Sequence, residues 1–247
     1  MATDIALGVM CKAPVSGASK TRLCPPLHAQ EAAALSRCFI ADVTATVAAV
    51  CAHDRGDGYA IIAPADAAAA FSGLLPHGFA LLGQRGEDLS ARLINATHDL
   101  FAAGHAGLCL INADAPTLPA ALLAAAVAAL RKPGERIVIG PAIDGGYTLI
   151  GMNRPHPSLF DAIAWSTSRV FAQTLVRAAA VRVPVTVLPL WYDVDDAAAL
   201  ELLCVELFGG GIALTGAGIE GAPAPVSRVF LDRLLRQEPQ RLAFARR

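Results

Sequence analysis

The chain has 247 residues, enough for one α/β domain of ordinary size with a real core. Its formal net charge of −1 gives no electrostatic case for nucleic acid as a partner. The apolar share of 55% is inflated by alanine, and the longest apolar run, Leu118 to Leu130, contains Pro119 and is too short to span a bilayer, so a soluble protein with no membrane partner is expected.

The elements alternate between short apolar runs and helical segments. Ile5–Met10 reads as a buried first strand, and an Ala- and Leu-rich helix begins near Gln30. Tyr59–Ala63 reads as a second strand, followed by Pro64 and an Ala-rich helix, and Phe79–Leu82 as a weak third. Gly107–Ile111 is a stronger fourth strand, and Leu118–Lys132 a helix with Pro119 near its start. Arg136–Gly140, Tyr147–Gly151 and Val185–Leu188 are the fifth, sixth and seventh strands. Helices are expected from about Ser168 and over Ala197–Phe208. This rhythm predicts an α/β fold, a three-layer, doubly wound and mostly parallel sheet, with a ligand beyond the carboxyl ends of the strands.

The loop after the first strand, Lys12 to Leu23, is the most informative stretch. Pro14 and Gly17 shape a turn, while Lys12, Lys20 and Arg22 put three cations within eleven positions. Such a loop can aim backbone N–H groups at phosphate, helped by the positive end of the following helix, and three cations suit a polyphosphate better than a single carboxylate. It is not a Walker A loop, because Ser19 stands where that pattern needs Gly before the Lys. A basic solvated loop with no ligand is the plain alternative.

Carboxylates follow later strands. Asp114 comes directly after the fourth, where a covered carboxylate needs a counter-charge. A divalent cation would supply one, and Mg²⁺ prefers one or two carboxylates plus substrate phosphates; the alternative is an Asx-type turn before Pro116. Asp144-Gly145-Gly146-Tyr147 permits close approach to a ligand, or is simply a hairpin turn. Asp193 and Asp195 share a face if their segment is extended, or else form an acidic helix start with Asp196. Asp88 is placed to cap a helix with Arg92 on the same face, and Ser166 or Thr167 to cap another behind Trp165.

Lys-Ala-Pro-x-x-Gly-x-x-Lys-Thr-Arg-Leu, the run from Gly140 to Gly151, and Asp193-Val-Asp195 together resemble the DUF2064 family of GT-A-like bacterial transferases, often labelled glycosyltransferases. That family is similar to the guanylyltransferases of coenzyme F420 and molybdopterin cofactor synthesis. The resemblance covers about Ile5 to Phe208 and implies a fold of the nucleotide-diphospho-sugar transferase type. It departs at Asn112 and Ser90, where glycines are usual. It implies nucleotide binding by Lys12, Gly17, Lys20, Arg22, Gly86 and Asp88. Asp114, Asp193 and Asp195 would hold Mg²⁺ or Mn²⁺; Asp144, Gly145, Gly146 and Tyr147 would form an acceptor loop. Lys20, Arg22 and Asp114 would carry the chemistry.

The expected activity is nucleotidyl transfer from an NTP to a small phosphorylated or carboxylate acceptor, with pyrophosphate release. Glycosyl transfer from a nucleotide sugar is the alternative, and a non-catalytic nucleotide-binding protein a second one. Cys11, Cys24, Cys38, Cys51, Cys109 and Cys204 form no metal or C-x-x-C pattern and read as reduced cytoplasmic thiols. Met1-Ala-Thr-Asp4 lacks a signal peptide's basic segment. Residues 1–208 read as the transferase domain. Residues 209–247 read as a Gly/Pro-rich linker with an amphipathic docking or dimerising helix, Val226 to Leu235, the latter in a homodimer.

Overall fold

The computed structural model describes residues 5–209, 212, 214, 218–238 and 240–242. Its strands are β1 (Ile5–Lys12), β2 (Asp57–Ala63), β3 (Ala80–Gly83), β4 (Gly107–Asn112), β5 (Ile137–Pro141), β6 (Tyr147–Met152) and β7 (Val185–Val187). The helices are α1 (Ala29–Asp54), α2 (Leu89–Ala102), α3 (Ala120–Leu130), α4 (Val170–Ala180), α5 (Ala197–Phe208) and α6 (Pro225–Gln237). One sheet joins the strands in the order β3-β2-β1-β4-β6-β5-β7. Only β6 runs against its neighbours, β4 and β5; the other pairings are parallel.

Helices cover both faces, so the strands read as nearly continuous apolar runs. In β1, Leu7, Val9 and Cys11 join the core under α1, α3, α5 and α6. Ala6 faces the other core, built on α2 and α4 through Leu93, Leu100 and Val170. The three-layer, mostly parallel α/β fold expected from the sequence is the fold observed.

Local differences have physical causes. The Ala-rich segment after Pro64 forms only a 3-10 turn, Ala67–Phe71, in which Phe71 alone is buried. Between Pro64 and Pro76 there is too little chain, and too little buried surface, to support a helix. The loop after β1 does not run straight into α1 either. A 3-10 turn at Thr21–Leu23 and the pair Pro25-Pro26 intervene, since the residue before a proline is biased away from helix. At the start of α1, the Glu31 carboxylate accepts the His28 N–H at 2.8 Å. α4 begins at Val170 with Arg169 as its cap residue, not Ser166 or Thr167. Ser166 is in the left-handed region, and the Thr167 hydroxyl donates to the Ala164 carbonyl at 2.7 Å. By length and composition α1 could cross a membrane, but more than half of its most apolar stretch is buried inside the fold.

The C-terminal helix docks on the same body. Ala224, at the start of α6, has no side chain to cap it. Asp42 of α1 does so instead, accepting from the Val226 N–H at 3.0 Å, the Ser227 N–H at 2.8 Å and the Ser227 hydroxyl at 2.6 Å. Leu231 and Leu234 of α6 complete the core beneath. Gly210 and Gly211 of the expected linker, and the first four residues, lie outside the described residues.

Candidate active site

The parallel register of β1 and β4 pairs Met10 with Asn112. The chain therefore leaves both strands at the same level, with Lys12 at one end and Asp114 two residues past the other. A third segment is laid across these ends. Trp191 donates its N–H to the Pro141 carbonyl at 3.0 Å and accepts from Ile143 N–H at 3.0 Å; Val194 donates to the Asp114 carbonyl at 2.8 Å. Buried Trp191, Tyr192 and Val194 anchor this segment, and Asp193 and Asp195 alternate with them.

The basic loop is pinned from inside by Ser19. Its buried hydroxyl accepts the Val15 N–H at 2.9 Å and donates to the Ala13 carbonyl at 3.1 Å. The next residue, Lys20, is in the left-handed region with φ of 51°. Its ammonium lies 2.9 Å from Asp114 Oδ1, 2.7 Å from Asp195 Oδ1 and 2.8 Å from the Val194 carbonyl, so its three donors meet three acceptors. The Lys20 side chain is 7% exposed, against 39% for Asp114 and 43% for Asp195. Burial disfavours the Lys20 charge, but Asp114 and then Asp195 outweigh it and hold the ammonium above its usual range. Arg22 reaches toward Asp196 at 3.6 Å and is exposed, as is Lys12, whose ammonium donates to the Ala18 carbonyl at 3.3 Å. These groups surround a hollow of about 210 Å³ bounded by Lys12, Lys20, Arg22, Asp114 and Asp195.

A second hollow of about 320 Å³ adjoins it and shares Arg22 and Asp195. Asp144, Asp193 and Asp196 line it, with Ile143 and Leu202 as its apolar part. Burial, then the neighbouring Asp144, Asp195 and Asp114, push the Asp193 carboxyl up to about 7, against the pull of Lys20. Asp144 is the turn residue of the β5–β6 hairpin, accepting the Gly146 N–H at 2.8 Å. Gly145 has φ of +87°, and a Cβ there would lie 2.2 Å from the Ser168 carbonyl oxygen.

Not every expected residue joins the site. Tyr147 is a core residue of β6, packed edge-on against Trp165, and its hydroxyl has no hydrogen-bond partner among the described residues. Trp165 donates its indole N–H to Ser90 at 2.8 Å and so ties the α4 side to α2. Gly86 and Asp88 line neither hollow; Asp88 caps α2 through the Ala91 N–H at 2.8 Å. Gly86 is required by close packing, since a Cβ there would lie 2.7 Å from that of Ala91. The trio Asp114, Asp193 and Asp195 also does not close on one point. Among the described residues, no three His, Cys, Asp or Glu side chains are arranged to hold a metal ion. The candidate donor set is therefore the pair Asp114 and Asp195.

Three contributors escaped the sequence reading. Ser19 counted only as a mismatch to a Walker loop, yet it shapes the turn. Asn112 donates its amide N–H to the Tyr147 carbonyl at 2.9 Å, joining β4 to the hairpin. Tyr192, held by Thr117 at 3.2 Å and by Glu206, anchors the Asp193–Asp195 segment. The aromatic pair directly before Asp193 was the available signal for that anchor.

No curated protein matches the chain. Among solved structures, a candidate nucleotide-diphospho-sugar transferase from Desulfovibrio desulfuricans G20 superposes with a TM-score of 0.78 at 28% identity, over 95% of this chain and 98% of that one. A cytidylyltransferase from Leptospira borgpetersenii serovar Hardjo-bovis has a TM-score of 0.50 at 10% identity, over 97% of each chain. A CMP:2-keto-3-deoxy-manno-octonic acid synthetase complexed with CTP also reaches 0.50 at 10% identity, over 81% of this chain and 97% of that one. The last two likenesses concern the fold alone. Residues 46–167 match the model of an uncharacterized protein family conserved in bacteria, DUF2064, a span that contains Asp114 and Asp144 but neither the basic loop nor Asp195. The likeness to the DUF2064 family thus spans the middle of the chain, residues 46–167.

Proposed function

We propose that the chain is a metal-dependent transferase acting on an activated nucleotide, and that its reaction is nucleotidyl transfer from an NTP to a small phosphorylated or carboxylate acceptor. The observation that carries this reading is the meeting of Lys20, Asp114 and Asp195, from three loops at the carboxyl ends of the strands, beneath a rim of two more cations. Such a place suits a polyphosphate held with a divalent cation. The donor set fits Mg²⁺ or Mn²⁺: Asp114 and Asp195 already converge on one cation and keep an open side for phosphate and water. When bound, the ion would neutralise charge on the phosphates.

The chain's own residues do the remaining work. Lys12 and Arg22 are exposed on the rim, where they can draw the triphosphate in and hold the pyrophosphate as it leaves. An anionic acceptor oxygen attacks the α-phosphorus, the bond to the β-phosphate oxygen breaks, and both charges stay on oxygen, so no general base is needed. Arg22 borders both hollows and can receive an anionic acceptor beside the carboxylates. Catalysis then consists of positioning and charge neutralisation.

Glycosyl transfer from a nucleotide sugar is the second reading, favoured by the likeness to the Desulfovibrio protein over 95% of the chain. A thermal-shift panel of NTPs and nucleotide sugars, each with and without Mg²⁺, separates the two, because ligands of the native state raise its apparent stability. Mg²⁺-dependent stabilisation by one NTP above its nucleotide sugars is the expected result. A preference for a nucleotide sugar would replace nucleotidyl with glycosyl transfer, and no response to either would remove the nucleotide from the proposal.

A further inference from the structure

The lysine and the candidate metal ligands compete for the same atoms. Lys20 uses Oδ1 of Asp114 and Oδ1 of Asp195, the oxygens that converge beneath the loop. Its third donor is spent on the Val194 carbonyl, and its ammonium stands 5.8 Å from the Phe39 ring centroid. The ammonium is thus the counter-ion of a carboxylate pair that would otherwise repel itself. A divalent cation on the same oxygens would lie against the ammonium, and in a partly buried site the two positive charges cannot share that space.

Displacing the ammonium leaves a buried cation in need of new partners, and an unpaired buried charge is costly. A bare divalent ion brings none. A metal–polyphosphate complex brings phosphate oxygens into the hollow of about 210 Å³ that Lys20 itself borders. The flexible four-carbon stem lets the ammonium turn from carboxylate to phosphate without moving the pinned loop.

We propose that Lys20 is an exchangeable internal cation that occupies the Asp114–Asp195 pair until a divalent metal arrives as its polyphosphate complex, so that the site rejects the bare ion. This rests on the metal-dependent reading given above. It makes Lys20 a selectivity device as well as a phosphate ligand, and it orders binding: ion and polyphosphate enter together.

Calorimetric titration of MnCl₂ and of manganese tripolyphosphate into the nucleotide-free protein tests this. Wild type should take up Mn²⁺ alone only weakly, yet bind tripolyphosphate in a metal-dependent way that Asp114→Asn abolishes. Lys20→Met, with folding checked by circular dichroism, should bind Mn²⁺ alone about tenfold tighter or more, a gain lost again in Lys20→Met/Asp114→Asn. A folded Lys20→Met with no gain overturns the exchange while leaving metal-dependent binding intact. Tight Mn²⁺ uptake by wild type that Asp114→Asn removes also overturns it, and this arm needs no change at Lys20. Tripolyphosphate binding that ignores the metal would instead remove the metal-dependent reading itself.

Discussion

Asp114 and Val194 are joined backbone to backbone: the Val194 N–H donates to the Asp114 carbonyl at 2.8 Å. This bond sets Asp195 beside Asp114 without drawing on either carboxylate. Neutral variants of the two acids should therefore keep the geometry and lose only the charge. Asp114→Asn and Asp195→Asn are each expected to fold normally by circular dichroism and to lower kcat/KM of nucleotidyl transfer about 100-fold or more. Ordinary turnover in either variant would take that residue out of the chemistry.

Ser19 holds the loop rather than the ligand. Its buried hydroxyl closes the turn from Ala13 to Val15, and Ser19→Ala leaves that N–H and that carbonyl without their partner. A loss of about 1–3 kcal/mol in urea unfolding is expected. Because Lys20 follows directly, triphosphate affinity should fall more than nucleoside affinity. Equal affinities for both, before and after, would mean that the site does not depend on how the loop is held.

Much of the fold was legible because burial on both faces makes strands declare themselves as apolar runs, as Ile5–Met10 and Gly107–Ile111 do. The antiparallel direction of β6 was not read from apolar content, which carries no direction; only the tight Asp144-Gly-Gly turn hinted at it. At the site, Lys20, Asp114 and Asp195 were each visible as charges after strands. That Lys20 pairs with both carboxylates was not visible, since it depends on a side chain crossing between loops more than 90 residues apart in sequence. Tyr147 and Asp88 lie outside the two hollows for the opposite reason. Their neighbours in sequence pointed to a ligand, while their local tasks, filling the core and capping α2, absorb them.

Two glycines of the site loops should behave differently. At Gly145 a new Cβ meets the Ser168 carbonyl at 2.2 Å, whereas at Gly17, also at positive φ (+77°), nothing lies within 4 Å. Gly17→Ala should cost about 1 kcal/mol, the strain of the left-handed backbone alone. Gly145→Ala adds a backbone clash that no side-chain rotation relieves, and should cost at least about 3 kcal/mol. Thermal melts of the two variants give the comparison; similar losses would show that the hairpin moves freely away from the start of α4.

Asp193 makes the nucleotide-free protein pH-dependent in a definite direction. Burial and the surrounding carboxylates raise its carboxyl from 3.8 to about 7, so the folded chain binds this proton more tightly than the unfolded chain does. Its contribution to stability is then full below pH 4 and is lost as the pH rises through about 7. Asp193→Asn keeps the shape and removes the ionisation. In metal-free buffer the variant should match wild type near pH 4 and exceed it at pH 8 by on the order of 2–4 kcal/mol. Unfolding curves at the two pH values check this, and the difference between variant and wild type cancels the titration of groups that do not interact with Asp193. A gain of the same size at both pH values would mean that ionisation of this carboxyl is not what destabilises the fold.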